Sequence, residues 1–342
     1  MFIATLGLFT FGLLAAIAGG WFGAAIGANY AFALTGVSVL VGWAFLVATG
    51  SFVGFDYVAF GPFMGPHVAF AGGVAAAAYA AKKGYMPDGR DVSSPLAGLG
   101  RPDVMWVGAA FGVGGYLLQI LVSQIPFFGV RTDSVALTVV VSAVAARMVF
   151  GGGDLMNKAT MNPGPGLMRR IAPNEHGSWL RYQEKPSQYL SIGAMFGIAA
   201  GALSIVLAQF FPAAATVAQT MGFGFSALII LFLILGNKMP VQHHVTITAG
   251  LAAVRFVPVL AGHEFRWGGE WTSEMWLVAL GAVLIAGLFG MYSAFLAEFQ
   301  SQLFHQRGKT HIDPPAMAIW IGNTTVVLIA YLLGHDPLDV VG

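Results

Sequence analysis

Residues 61–76, GPFMGPHVAFAGGVAA, return in altered form at 236–253, GNKMPVQHHVTITAGLAA, and each copy opens a long apolar run. The register that sets His67 on His244, 177 positions further on, also sets Gly73 on Gly250, Ala75 on Ala252 and Ala76 on Ala253. The displacement is about half of the 342-residue chain, so the pattern reads as an internal duplication. Met105-Trp106 and Met275-Trp276, and Asp133 and Asp313, recur at similar offsets.

Composition says what surrounds the duplicated unit. The chain is 57% hydrophobic and only 9% charged, with a mean hydropathy of +0.76. A water-soluble globule of this size cannot bury that much apolar surface, so the solvent is lipid. The net charge of +1 gives no reason to expect a nucleic-acid partner. There is no cysteine, which removes disulfides and thiolate metal sites. No Lys or Arg precedes the first apolar run, which therefore reads as a retained span and not a cleaved signal.

With ~20 apolar residues needed per crossing, spans fall near 3–24, 29–50, 58–81, 104–127, 133–151, 188–211, 215–236, 240–262, 275–299 and 314–334. The expected fold is all-α: a polytopic membrane protein of about ten transmembrane helices. Its parts are a five-helix repeat over 1–151, a cytoplasmic connection over 152–187, and a second five-helix repeat over 188–342. An odd number of spans per half requires the second half to enter the membrane from the opposite side, which makes the repeats inverted.

Lys and Arg mark the cytoplasmic ends of spans. Lys82, Lys83, Arg90 and Arg101, then Lys158, Arg169, Arg170, Arg181 and Lys185, then Lys238, Arg307 and Lys309 all fall on one side. Arg131 and Arg266 fall on the other. This asymmetry predicts a multi-pass protein of the cell membrane with both termini extracytoplasmic.

The third and eighth spans carry the functional expectation. Helix breakers at membrane depth persist only where protein or an aqueous cavity satisfies the freed backbone. Gly61, Pro62, Gly65 and Pro66 break the third span, and Gly236 and Pro240 the eighth. From His67 to Ala81 only 15 residues remain, about 22 Å of helix, which is short of a full crossing. A helix that starts inside the bilayer aims unpaired N–H groups at its surroundings, and inverted-repeat transporters set substrate there.

The expected substrate pathway therefore contains His67, His244, His243, Gln242, Thr246, Thr248, Gly65, Pro66 and Pro240. The competing reading of each histidine is a packed interface residue. Asp133 and Asp313 read either as helix caps or as members of a proton relay. The double proline after Asp313 favours a helix start. No HxxxH or HExxH spacing, P-loop or nucleophile elbow occurs, so no metal, cofactor or catalytic role is expected.

The stretches GPHVAFAGGVAAAAYA, TDSVALTVVVSA and THIDPPAMAI resemble a group of predicted permease-like membrane proteins that carries no assigned substrate. In span number alone the chain is also similar to ammonium and urea channels. The paired histidines of ammonium channels lie in the fifth helix of each half and these lie in the third, so no residue role is carried over. The expected function is transport of a small polar or weakly charged solute along the repeat interface, as a channel or an ion-coupled carrier. The alternative is a non-transporting scaffold or lattice-forming subunit. Membrane lipid, a small solute or ion, and a homo-oligomer built on small-residue helix faces are the expected partners.

Overall fold

Each apolar run of the sequence becomes a helix. In the computed structural model, which describes residues 2–174, 178–262 and 265–335, the first half contains α1 (Phe2–Ile26), α2 (Ala28–Thr49), a π-helical turn (Gly54–Ala59), α3 (Ala69–Lys82), α4 (Pro102–Ser123) and α5 (Ser134–Phe150). A short α6 (Leu167–Ile171) lies in the connection. The second half contains α7 (Pro186–Phe210), α8 (Thr220–Leu228), α9 (Ile230–Ile234), α10 (His243–Ala261), α11 (Ser273–Gln300) and α12 (Pro314–Leu332). Among the described residues the only β pairing is an isolated bridge between Gly89 and Thr310.

Seven of these helical segments are long and apolar enough to cross a bilayer. Three others fall short: α3 has 14 residues, α5 has 17, and α8 with α9 forms a shorter apolar stretch over Thr220–Ile234. The distribution of side chains on α11 is that of a membrane helix. Leu277, Leu280, Leu284 and Leu288 make an exposed stripe at helical spacing, while Ala279, Ala282, Ala286, Gly290 and Ser293 are buried. Large apolar groups outside and small residues inside are what lipid as solvent produces, because tight helix contact then rests on dispersion between close backbones. The chain is a multi-pass, all-helical protein.

The packing of the two halves corresponds element by element. α1 packs on α3 and α4, and α7 packs on α10 and α11. α3 also meets α2, α4 and α5, as α10 meets α8, α11 and α12. Close approaches repeat as well: Gly20 of α1 faces Gly108 and Gly112 of α4, and Gly197 of α7 faces Ala286, Gly287 and Gly290 of α11.

The halves join through α2 against α8 and α5 against α12. Both contacts run antiparallel. Gly36 meets Gly224 and Ala227, while further along α2 Trp43 Nε1 donates to Thr220 Oγ1 at 2.9 Å. On the other pair, Thr132 meets Thr324 at 2.9 Å, and at the far end of α5 Arg147 Nε donates to Thr310 Oγ1 at 3.0 Å, just ahead of α12.

The lead-in to α3 is a buried irregular segment, as the prolines require. Gly61, Pro62, Met64, Gly65 and Pro66 are all buried. Their backbone is satisfied locally: Gly65 N donates to Gly61 O at 3.1 Å and Val68 N to Gly65 O at 2.8 Å, and the Thr35 hydroxyl donates to Met64 O at 2.7 Å.

The eighth span differs from the sequence expectation. Gly236 takes a left-handed φ of 91° in a turn whose residues Gly236, Asn237 and Lys238 are exposed. Beyond Pro240, α10 then runs 19 residues without interruption. The glycine of this copy lies in an exposed turn and the buried irregular stretch after Pro240 is only Val241 and Gln242, so α10 is not shortened as the 14-residue α3 is.

Candidate functional site

α3 and α10 are the inner helices of their halves, and their first turns meet a common space. A cavity of about 280 Å3 lies where α2, α5, α8 and α12 cross. Pro66 and Phe70 from the start of α3, and His243 and Ile247 from the start of α10, form part of its wall. Three pairs of residues set 180 positions apart in the sequence all line it: Asp133 and Asp313, Ala136 and Ala316, Val139 and Ile319. Phe32, Phe55, Phe60 and Phe223 supply the aromatic wall, and Gln219, Thr220 and Asn323 the uncharged polar groups.

Two neighbouring cavities share walls with this one. A cavity of about 510 Å3 holds Tyr57, Pro62, His67, Tyr116 and Gln119, and has Asp56, Phe60 and Val135 in common with the central space. On the opposite side a small cavity of about 60 Å3 holds Asn29, Trp179, Leu233 and His311, and shares Phe32, Phe70, His243 and Asp313. Aromatic rings stand at both junctions. Phe60 lies 5.8 Å from Phe223, and Phe32 lies 5.8 Å from Phe70 and 5.7 Å from Phe223, ring centre to ring centre.

The expected pathway residues divide. His243 reaches the central cavity, its ring 4.5 Å from that of Phe32, with Nδ1 unpartnered. His67 lines the larger neighbouring cavity, also with a free Nδ1. Pro66 is in the central wall, and Gly65 lies in the buried turn ahead of it, against the His67 ring.

His244 is absent from the walls of these three cavities. Its ring plane stands at 89° to that of His243, and its carbonyl accepts from Ser293 Oγ at 2.9 Å. The histidine that the repeat pairs with His67 is thus a packed residue, and its neighbour faces the space. A helix turns about 100° per residue, so adjacent residues cannot share one direction.

Thr246 donates to Ser226 Oγ at 3.0 Å, an α10–α8 contact. Thr248 packs against Gly322, and Gln242 is wholly buried with its amide unpartnered. Pro240 sits in an irregular lead-in clamped by the connection: Gln183 exchanges two hydrogen bonds with Val241, at 2.9 and 3.0 Å.

Asp133 and Asp313 both cap helices and both face the cavity. Asp133 Oδ1 accepts from Ala136 N at 2.8 Å and Asp313 Oδ2 from Ala316 N at 2.7 Å. The second oxygen of each is free for a different role. Asp133 Oδ2 accepts from Asn323 Nδ2 at 2.8 Å, and Asp313 Oδ1 pairs with His311 Nε2 at 3.0 Å. Neither carboxylate bonds to the repeated histidine of its own half.

Residues 3–337 match a family described as a family of unknown function, DUF7973. The chain belongs to this family. No curated protein and no solved structure matches it. The DUF7973 match spans both halves and the connection, in keeping with the resemblance to a group lacking an assigned activity. A functional reading of this DUF7973 chain therefore rests on the cavity itself.

Sequence reasoning missed Asn323, Gln219 and the phenylalanines. An isolated Asn in an apolar span is a usable signal, since a polar amide in lipid needs a partner. Five phenylalanines converging from four elements leave no trace in any one stretch of sequence.

Proposed function

We propose that the chain is a membrane transport protein, a channel or secondary transporter, that moves a small polar or weakly charged solute between two inverted five-helix repeats. The observation that carries this reading is the file of three cavities sharing walls, with the central one bounded by equivalent residues of both halves. The matched helix packing and the antiparallel α2–α8 and α5–α12 contacts support the inverted ten-span arrangement. Binding at the interface of inverted repeats, between the ends of inner helices, is the general plan of secondary transporters.

In this reading Asp133, Asp313, His243 and Asn323 contact the solute, and the Phe60 and Phe32–Phe70 junctions are the two constrictions. His67 lines the approach from the side of Arg131. The lysine- and arginine-rich connections face the cytoplasm, both termini lie outside the cell membrane, and no catalytic step is assigned. Homo-oligomer formation through small-residue faces is compatible with this arrangement.

The test is solute release from liposomes containing the purified chain, using neutral, cationic and anionic small solutes. Release of at least one class above protein-free vesicles is expected, with strong loss when Ala136→Phe or Ala316→Phe fills the central cavity. Release that is absent for every class, or indifferent to a filled cavity in a folded variant, favours the scaffold reading.

A further inference from the structure

The walls of the central cavity have a one-sided charge. The half-buried Asp133 and Asp313 contribute two carboxyl groups and the exposed Asp56 a third, and no Lys or Arg is among the lining residues. The rest of the wall is rich in aromatic rings, with Phe32, Phe70 and Phe223 packed edge to face. Two further polar atoms are without a partner, although both residues are more than nine-tenths buried: Asn323 Oδ1, and His243 Nδ1, which is an acceptor when the ring proton is on Nε2.

We infer that this cavity binds a small organic cation of the ammonium type. This deepens the transport reading and rests on it. Carboxylates attract the charge in a low-dielectric site. Aromatic faces hold a weakly hydrated cation. The free acceptors take its N–H groups or its first waters. A hard metal ion needs about six or more oxygen ligands, and a wall made mainly of phenylalanine and aliphatic carbon does not supply them. An anion meets three carboxyl groups and no Lys or Arg. A volume of about 280 Å3 admits a cation of a few carbon atoms together with several waters.

The test is equilibrium binding of radiolabelled tetramethylammonium to the full chain in detergent, with tert-butanol as uncharged mimic and sodium and acetate as competitors. The carboxyl groups are changed by Asp133→Asn and Asp313→Asn, because Asn retains the capping function; melting temperature checks the fold. Saturable binding is expected, weakened about tenfold by each substitution and a few-fold by Phe32→Leu, with tert-butanol and acetate ineffective as competitors. Absence of binding, equal competition by tert-butanol, stronger competition by sodium, or unchanged affinity in the folded Asn variants overturns the inference. Tetramethylammonium binding without release of any solute from liposomes removes the transport reading alone. Release of a neutral or anionic solute without tetramethylammonium binding removes the cation inference alone.

Discussion

Asn323 Nδ2 donates to Asp133 Oδ2 at 2.8 Å, tying the middle of α12 to the first turn of α5 across the boundary between the halves. The same carboxylate caps α5 through Ala136 N. Asn323→Leu leaves one buried carboxylate oxygen without its donor, and an orphaned buried polar group costs about 1–3 kcal/mol. A lower melting temperature in detergent is expected, together with reduced solute release, because both residues line the central cavity. A variant that melts and transports as the parent does leaves this bond without consequence.

Arg147 is fully buried near the end of α5. Its guanidinium donates to Leu155 O and Phe304 O, each at 2.7 Å, and to the Thr310 carbonyl. Its hydrogen bonds join α5, the start of the connection and the segment ahead of α12. Arg147→Met strands these carbonyls and is expected to cost about 3 kcal/mol or more. Arg147→Lys is expected to recover little of it, since an ammonium cannot reproduce the planar fork. Thermal unfolding followed by tryptophan fluorescence checks both. Gly308→Ala should resemble Arg147→Met, because a Cβ at Gly308 would collide with the buried Arg147 guanidinium and displace it from its carbonyls.

The two inner helices are held differently at matching places. A Cβ at Gly115 of α4 would collide with the His67 carbonyl, whereas Ser293 of α11 donates to the His244 carbonyl at 2.9 Å. Gly115→Ala should therefore push α4 away from α3 and lower the yield of folded protein. Ser293→Ala should cost only about 1 kcal/mol, one ordinary hydrogen bond. Size-exclusion profiles of the two variants, side by side, give the comparison; equal behaviour contradicts the packing described.

Phe60 separates the central cavity from the one containing His67. Phe60→Ala should widen that junction and speed solute release, with looser selectivity among solutes. Slower release in a folded variant means that Phe60 contributes to binding and not to closure. Loss of a partly buried phenylalanine also weakens packing, so melting is recorded in parallel.

How far the sequence reached can be judged from particular positions. Helix locations follow from apolar runs, and α7, read at 188–211, lies at Pro186–Phe210. The capping of α5 and α12 was legible in Asp133 and in Asp313-Pro-Pro, because capping is local chemistry. Of the two histidines in the first turn of α10, the one the duplication singles out, His244, does not line the central cavity and His243 does. Which of His243 and His244 faces the cavity depends on helix rotation, and rotation is set by packing against α7, α8, α11 and α12. The eighth-span break was misplaced for a related reason. A Gly/Pro pair marks a helix end, but whether that end is at the surface or in the interior depends on what covers it.

The central claim is that the halves lie upside down to one another around the cavity, and equivalent loops report on it most directly. Val130, just before α5, and Lys309, just before α12, are both exposed. Because the chain has no cysteine, Val130→Cys and Lys309→Cys give single reporters for a membrane-impermeant maleimide applied to intact cells. The account predicts labelling of Val130→Cys from outside and of Lys309→Cys only after the membrane is opened. Labelling of both from the same side contradicts it.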